Sequence, residues 1–169
     1  MKAKAKIGGV FTVEGFDVDG YLKWTEKFGN LIVNQGLYLA LDNLFVLAVE
    51  EAAWFVGLIV TSPPVIIPAN VMNAHAGWAE EDNYTEADRV PYTAVRTLAV
   101  VSNTAAKALF TADVGGFTAT GAFLASDDAK NGVAGKLLAA GAFVGGDKTL
   151  LVGESLRVRY DLSLADDGI

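Results

Sequence analysis

Short apolar stretches separated by turn-forming residues restrict what this chain can fold into more than any other feature of its sequence. The clearest stretch is 156–164, in which apolar residues alternate with Arg157, Arg159, Asp161 and Ser163. A period of two is typical of a strand with one buried face. Comparable stretches recur at a spacing of about 8–12 residues, which favours a sandwich over alternating strands and helices. We therefore predict a mainly β protein, an antiparallel β-sandwich that is jelly-roll-like, with one short α-helix.

The helix is predicted at about residues 35–47. Apolar residues there fall at positions i, i+4, i+7 and i+8, which lie on one face of a helix: Leu37, Leu41, Leu44 and Phe45. Asn34 precedes them and is a suitable N-cap. The next apolar run, 54–60, is short and continuous, as in a strand that is buried on both faces. This part of the chain therefore predicts a helix followed by a central strand.

At 169 residues the chain fits a single domain. We predict that residues 1–169 form one β-sandwich domain with an N-terminal arm (1–9) and a long loop excursion (61–88). The first part of the excursion, 61–68, contains three prolines and therefore cannot be a central strand. Its later part, 80–88, is polar and acidic. We expect a solvated surface loop there.

Turn signals also predict how some of the strands pair. An Asp-Gly turn, which supplies the positive φ values of a tight hairpin, is expected to join segments 3–13 and 21–28. A second hairpin is expected between 107–112 and 117–124. Segment 90–101 predicts one strand, and its proline keeps it away from the centre of a sheet.

Composition argues against several functional classes. The net charge of −7 is unlike that of a nucleic-acid-binding protein, which needs clustered Lys and Arg. The chain has no cysteine, which excludes a disulfide framework and a thiolate site. The longest uncharged run, 52–79, is interrupted by prolines and polar residues, so no membrane-spanning helix is expected. We predict no nucleic-acid partner, no membrane partner and, since no signal-peptide-like run is present, a cytoplasmic origin.

The chain is apolar for a protein without a membrane span. Hydrophobic residues make up 52% of it, charged residues only 20%, and its mean hydropathy is +0.35. Apolar surface beyond what one small core can bury is usually covered by a partner. A homo-oligomer or a larger assembly is therefore expected.

No catalytic constellation is evident. His75 is the only histidine, no cysteine is available, and no Gly-x-Ser-x-Gly elbow occurs, so we predict a structural histidine packed beside Trp78. Paired carboxylates for glycoside hydrolysis stay open as an alternative among the acidic residues. A core role is favoured over a sugar-binding role for Trp24 and Trp54 as well as Trp78.

The acidic residues of the loop excursion could bind a hard cation through oxygen ligands: Glu80, Glu81, Asp82, Glu86 and Asp88. They lack the ordered spacing of a calcium loop. We therefore predict a solvated loop and no metal, and no cofactor site is expected elsewhere.

A series of short motifs runs along most of the chain. They are Asn30-Leu-Ile-Val-Asn-Gln-Gly-Leu37, Trp54-Phe-Val-Gly-Leu58, His75-Ala-Gly-Trp78 with Tyr84 and Arg89, Gly121-Ala-Phe-Leu124 with Ser126 and Lys130, and Phe143 with Gly145-Gly-Asp-Lys148. In their order and spacing, from about residue 7 to residue 164, the chain resembles a family of small virion structural proteins of tailed bacteriophages.

The resemblance implies a non-enzymatic virion component. Decoration (cement) proteins of phage heads often have jelly-roll-like β folds and act as trimers or other oligomers over capsomer junctions. We therefore expect a capsid decoration protein that is made in the host cytoplasm and lies on the outer capsid surface. Its expected partners are the major capsid protein and itself, with a trimer favoured. The alternative is a tail or fibre-associated module that binds the host surface.

Three elements are predicted to contact these partners, because their apolar or charged residues do not fit core strands. They are the N-terminal arm, the Pro-rich loop and the acidic loop. The candidate interface residues are Lys2, Lys4, Lys6, Val65, Ile66, Ile67, Glu80, Glu81 and Asp82.

Overall fold

The computed structural model describes residues 5–46, 51 and 53–166. In chain order its elements are β1 (Ala5–Phe16), β2 (Leu22–Gly29), β3 (Leu31–Ile32), α1 (Asn34–Leu41), a single π-helical turn (Asp42–Val46, the π-turn), β4 (Phe55–Ile59), β5 (Glu80–Glu81), β6 (Val90–Pro91), β7 (Val95–Thr97), β8 (Val100–Ser102), β9 (Ala108–Thr111), β10 (Phe117–Ala119), β11 (Gly121–Ala125), β12 (Leu137–Ala142), β13 (Lys148–Leu150) and β14 (Ser155–Asp166).

The first of two large antiparallel sheets is built around β14. Its strand order is β2-β1-β14-β8-β7, and β9 also pairs with β14. Strands β1 and β14 pair along their whole length, from Ala5 opposite Asp166 to Phe16 opposite Ser155. The alternating sequence of β14 suits this position, since Leu156, Val158 and Tyr160 all point into the core.

The second large sheet has the order β3-β12-β11-β4-β5, with β6 also paired to β4. A separate ribbon joins β10 to β13. Strands β4 and β11 lie at the centre of the second sheet, and both are continuous apolar runs. The prediction of a mainly β, antiparallel sandwich with one short helix is confirmed.

The main core lies between the two sheets. The rings of Phe11 and Tyr160 in the first sheet pack at a tilt with their centroids 4.5 Å apart, and Val56 and Leu124 of the second sheet belong to the same cluster. Each of these side chains is fully or almost fully buried. Burial of one such side chain stabilises the fold by about 1.5–3 kcal/mol.

A smaller core covers the other face of the second sheet. Ile59 of β4 and Phe123 of β11 pack there against Met72 and Trp78 from the loop excursion. Strand β4 is therefore buried on both faces, which confirms the prediction for 54–60. The prediction that 61–68 forms no strand is also confirmed.

The helical segment, α1 with the π-turn, spans 34–46 and agrees with the prediction of about 35–47, but its cap and its last turn differ from the prediction. The α-helical part ends at Leu41, and the N-cap is Val33, without a side-chain hydrogen bond, instead of Asn34. Gly36 is its buried residue, and a side-chain carbon there would overlap the carbonyl oxygen of Leu138 in β12. The chain can approach β12 this closely only because Gly36 has no Cβ.

One predicted strand pairing is confirmed and two predictions are wrong. Strands β1 and β2 form the expected hairpin. Strands β9 and β10 do not pair, since β9 adds to β14 and β10 adds to β13. The segment predicted as one strand at 90–101 is split, because Leu98 has a φ of +54° and turns the chain into a β7–β8 hairpin. No helix among the described residues is long and apolar enough to cross a membrane.

Candidate interaction site

An apolar groove lies where the π-turn, the β7–β8 hairpin and the ends of β1 and β14 meet. It has a volume of about 460 Å³. Among the residues that the structure describes, Arg96 is the one charged residue in its wall. Most of the wall is aliphatic and comes from four separate elements, including Ile7, Leu44, Leu98, Val101, Leu162 and Leu164.

Leu98 is an unusual residue at the rim of this groove. Its side chain is 86% exposed, and its backbone adopts the left-handed conformation. That conformation costs a residue with a Cβ about 1–2 kcal/mol, and turns that require it normally use Gly or Asn. Asn131, the other non-glycine residue with positive φ in the described chain, fits that rule. Leu98 combines backbone strain with apolar exposure, and such a combination is expected at functional positions.

The π-turn carries the second unusual feature of the site. Leu44, Phe45 and Val46 are all exposed, and Phe45 is 78% exposed. Together with Leu41 they continue the apolar face that the helical spacing predicts. Isolated π-turns are rare and are frequently found at functional sites. This face does not lie in the core: Gly36 is the helical residue that packs against β12, and the larger apolar residues are exposed.

Of the predicted interface residues in the N-terminal arm and the Pro-rich loop, none that the structure describes lines the groove. Lys2 and Lys4 lie outside the described residues. Lys6 is exposed in β1, next to Ile7 of the groove wall. Val65 and Ile67 are exposed, but Ile66 packs against the smaller core.

The prediction of a solvated acidic loop is wrong for Glu80 and Glu81, which are buried, and holds for Asp82, which is exposed. The guanidinium of Arg89 is fully buried and binds Glu80 through two hydrogen bonds. Arg89 Nε lies 2.8 Å from Glu80 Oε1, and Arg89 Nη2 lies 2.7 Å from Glu80 Oε2. A bidentate pair of this kind is the geometry in which two buried charges compensate each other best.

Further bonds extend this pair into what we term the Arg89 cluster. Arg89 also donates to the carbonyl oxygens of Asp127 and Gly132, each at 2.8 Å. The backbone N–H of Asn131 donates to Glu80 Oε2 at 2.8 Å. The cluster therefore ties the acidic loop to the 126–135 loop. Within the described part of the chain, no three acidic or histidine side chains are grouped so as to hold a metal ion.

Glu81 follows Glu80 in β5, and among the described residues it forms no ion pair. Its carboxylate accepts a hydrogen bond from the backbone N–H of Asn83 at 2.8 Å. Burial raises the pKa of Glu81 above its ordinary value of 4.5, and the charge of Asp82 adds to the rise. The two neighbouring acids therefore differ: the carboxylate of Glu80 is paired with a buried guanidinium, whereas burial of Glu81 disfavours its charged form.

His75 and Trp78 form a structural pair, as predicted. Their rings stack with centroids 3.8 Å apart, and His75 Nδ1 lies 3.0 Å from the carbonyl oxygen of Trp78. Trp78 is buried, and Trp24 and Trp54 are partly buried.

The chemistry of the site is that of apolar contact. The described residues of the groove wall include no carboxylate and no histidine, and Arg96 lies among aliphatic side chains. Sequence reasoning missed the groove because its wall is assembled from segments far apart in the chain. Comparison with protein-family models, with curated protein sequences and with solved structures gives no match for this chain.

Proposed function

We propose that this protein is a structural subunit of a tailed-bacteriophage virion, and within it a capsid decoration protein. In this role it forms homo-oligomers on the outer capsid surface and bridges major capsid subunits. The motifs between residues 30 and 148 that resemble small virion structural proteins support the assignment to a virion.

The single observation that carries the proposal is the uncovered apolar face formed by the π-turn and the groove. Phe45 and Leu98 are large, apolar and mostly exposed. Contiguous apolar surface of this kind usually marks a protein–protein interface. A protein whose function is to be held between neighbouring subunits needs such a surface.

The polar residues of the chain support a non-enzymatic role. Glu80 forms an ion pair with Arg89, and the ring of His75 stacks on that of Trp78. A general acid or base has to reach a substrate from a cleft, and these two groups are tied to their neighbours instead.

Cryo-electron microscopy of the virion tests the proposal. We expect density for the sandwich at regular positions on the head, in contact with at least two major capsid subunits. Heads assembled without the protein should open at lower temperature than complete heads, and purified protein added back should restore the difference. Density confined to the tail would overturn the decoration role.

The same images also test the alternative role in host binding. A tail or fibre-associated module would appear at the tail tip or fibres, and the purified protein would block adsorption of the phage to its host. The partial or complete burial of Trp24, Trp54 and Trp78 does not favour an aromatic carbohydrate platform in that module.

A further inference from the structure

We propose that the groove binds the π-turn of a second copy of this chain. This inference rests on the proposed function and deepens it, because it names the contact through which the subunits associate. The inserting part, here termed the knob, is Phe45 with Val46. The receiving part is the groove beside Leu98.

The two halves of this contact adjoin each other at the π-turn. Leu44 lies in the groove wall, and the next two residues, Phe45 and Val46, project from the surface. Self-association requires a surface that is complementary to itself or to a second surface on the same chain. A projecting aromatic residue next to an aliphatic groove meets that requirement.

The size of the face fits a stable contact between two subunits. Seven of its apolar side chains are partly or mostly exposed: Tyr38, Leu41, Leu44, Phe45, Val46, Leu98 and Leu164. Together they expose roughly several hundred Å², since one fully exposed aromatic side chain alone offers about 150–250 Å². Standard protein–protein interfaces bury about 800 Å² on each partner.

The charges of the two halves are also complementary. Asp42 begins the π-turn that carries the knob, and Arg96 is the charged residue of the groove wall. Arg96 donates to the carbonyl oxygen of Leu98 at 3.0 Å. In the described residues neither Asp42 nor Arg96 forms an ion pair. Insertion of the knob brings Asp42 of one copy towards Arg96 of the other, and such a pair at the rim fixes the register of a contact.

A substitution at Leu98 tests the contact directly. In an isolated subunit, asparagine would suit this position better than leucine, since asparagine tolerates both positive φ and exposure to solvent. In the associated state Leu98 is covered by the knob. The substitution Leu98→Asn should therefore weaken association while leaving the folded subunit at least as stable.

The first experiment measures the mass of the purified full-length protein by light scattering over a range of micromolar concentrations. We expect the wild type to have a multiple of the 17.8 kDa subunit mass. Leu98→Asn and Phe45→Ser should each raise the dissociation constant about tenfold or more. Val114→Asn is the matched control, because Val114 is 83% exposed at the β9–β10 turn, away from the groove. The urea midpoint of each variant shows whether the subunit is still folded.

The second experiment exchanges the charges. Arg96→Asp and Asp42→Arg each place like charges together, so each should weaken association. The double variant restores an opposite pair and should recover most of the wild-type affinity. Recovery of this kind is not expected of two variants that merely disturb the fold.

A wild type that is monomeric at these concentrations would overturn the inference, and so would an oligomer that none of the groove or knob variants affects. Neither result alters the density expected on phage heads, so the decoration role stands or falls separately. Conversely, an oligomer that Leu98→Asn dissociates, together with heads that lack the density, would support the contact and overturn the decoration role.

Discussion

Two regions of this molecule break the usual rule of burial in opposite directions. The Arg89 cluster places a guanidinium and a carboxylate in the interior. The face around Leu98 and Phe45 places large apolar side chains on the outside. In the cluster the chain supplies the compensating groups itself, through Glu80 and the carbonyl oxygens of the 126–135 loop. On the exposed face the described residues supply no such cover.

The difference separates internal stability from assembly. A buried charge is tolerated only where its partners are fixed, so the Arg89 cluster acts as a rigid tie between two loops. An exposed apolar face adds little to the stability of the single subunit and becomes favourable only when a partner covers it. Substitutions in the first region should change the free energy of unfolding, and substitutions in the second should change association.

The largest effect is expected for Arg89→Met. The variant leaves Glu80 buried and without its cation, which typically costs about 3–5 kcal/mol of unfolding free energy. Urea denaturation of the wild type and the variant at neutral pH measures this loss.

The matched control for Arg89→Met is the double variant Arg89→Met with Glu80→Leu, which removes both charges. It should recover part of the loss, because no isolated charge is then buried. A single variant that loses less than about 1 kcal/mol would show that the cluster is not the tie between the loops that its geometry indicates.

The sequence predicts best those strands whose buried faces can be read from the residues of the strand itself. The alternation at 156–164 and the continuous run at 54–60 each specify which faces are buried, and the structure has both as described. The burial of Glu80 depends instead on Arg89 nine positions later and on a loop about fifty positions later. No local pattern carries that information, because charged residues are normally solvated.

The exposed face was partly predictable. Residues 37–41 and 44–46 are almost all apolar, so the helix is apolar on more than the one face that its spacing defines. A helix in contact with a single sheet can bury only one stripe, and the remainder has to be exposed or covered by a partner. The groove itself was not predictable, because Leu98 looks like an ordinary strand residue until the β7–β8 turn is known.

The second prediction concerns the close contact between Gly36 of α1 and Leu138 of β12, which positions the exposed face. A methyl group at Gly36 overlaps the backbone of Leu138, so Gly36→Ala has to move α1 away from β12. Forced overpacking of this kind costs about 1–3 kcal/mol. Because the π-turn follows α1 directly, association should weaken as well.

Urea denaturation and light scattering on the same Gly36→Ala sample measure both effects. Gly20→Ala is unsuitable as a control because Gly20 has positive φ, whereas Gly29→Ala introduces a methyl group into open space. Unchanged stability and unchanged mass for Gly36→Ala would contradict the close contact between Gly36 and β12.

The third prediction compares two buried tyrosines, of which one has a hydrogen-bond partner for its hydroxyl group. The hydroxyl of Tyr160 accepts a hydrogen bond from Asn30 Nδ2 at 2.9 Å, and its loss in Tyr160→Phe should cost about 1 kcal/mol. The hydroxyl of Tyr84, beside the Arg89 cluster, has no partner in the described structure. Tyr84→Phe keeps the ring under Lys130 and should be neutral or slightly stabilising. Equal losses for the two variants in urea denaturation would refute the difference.

The smallest effect is expected for Glu81→Gln, and its sign distinguishes Glu81 from its neighbour. Because burial raises the pKa of Glu81 in the folded state, the folded protein holds this proton more tightly than the unfolded chain. The contribution of Glu81 to stability is thus complete below its unfolded pKa of 4.5 and is lost as the pH rises through the higher folded value.

The side chain that Glu81→Gln introduces stays neutral throughout and can still accept the bond from Asn83. The variant should therefore gain stability over the wild type between pH 4 and pH 7, by a margin that widens with pH, as measured by urea midpoints at each pH. Glu80→Gln should instead lose stability at pH 7, because it leaves Arg89 buried without its counter-charge. A Glu81→Gln variant that is less stable than the wild type at pH 7 would show that its carboxylate is satisfied in the same way as that of Glu80.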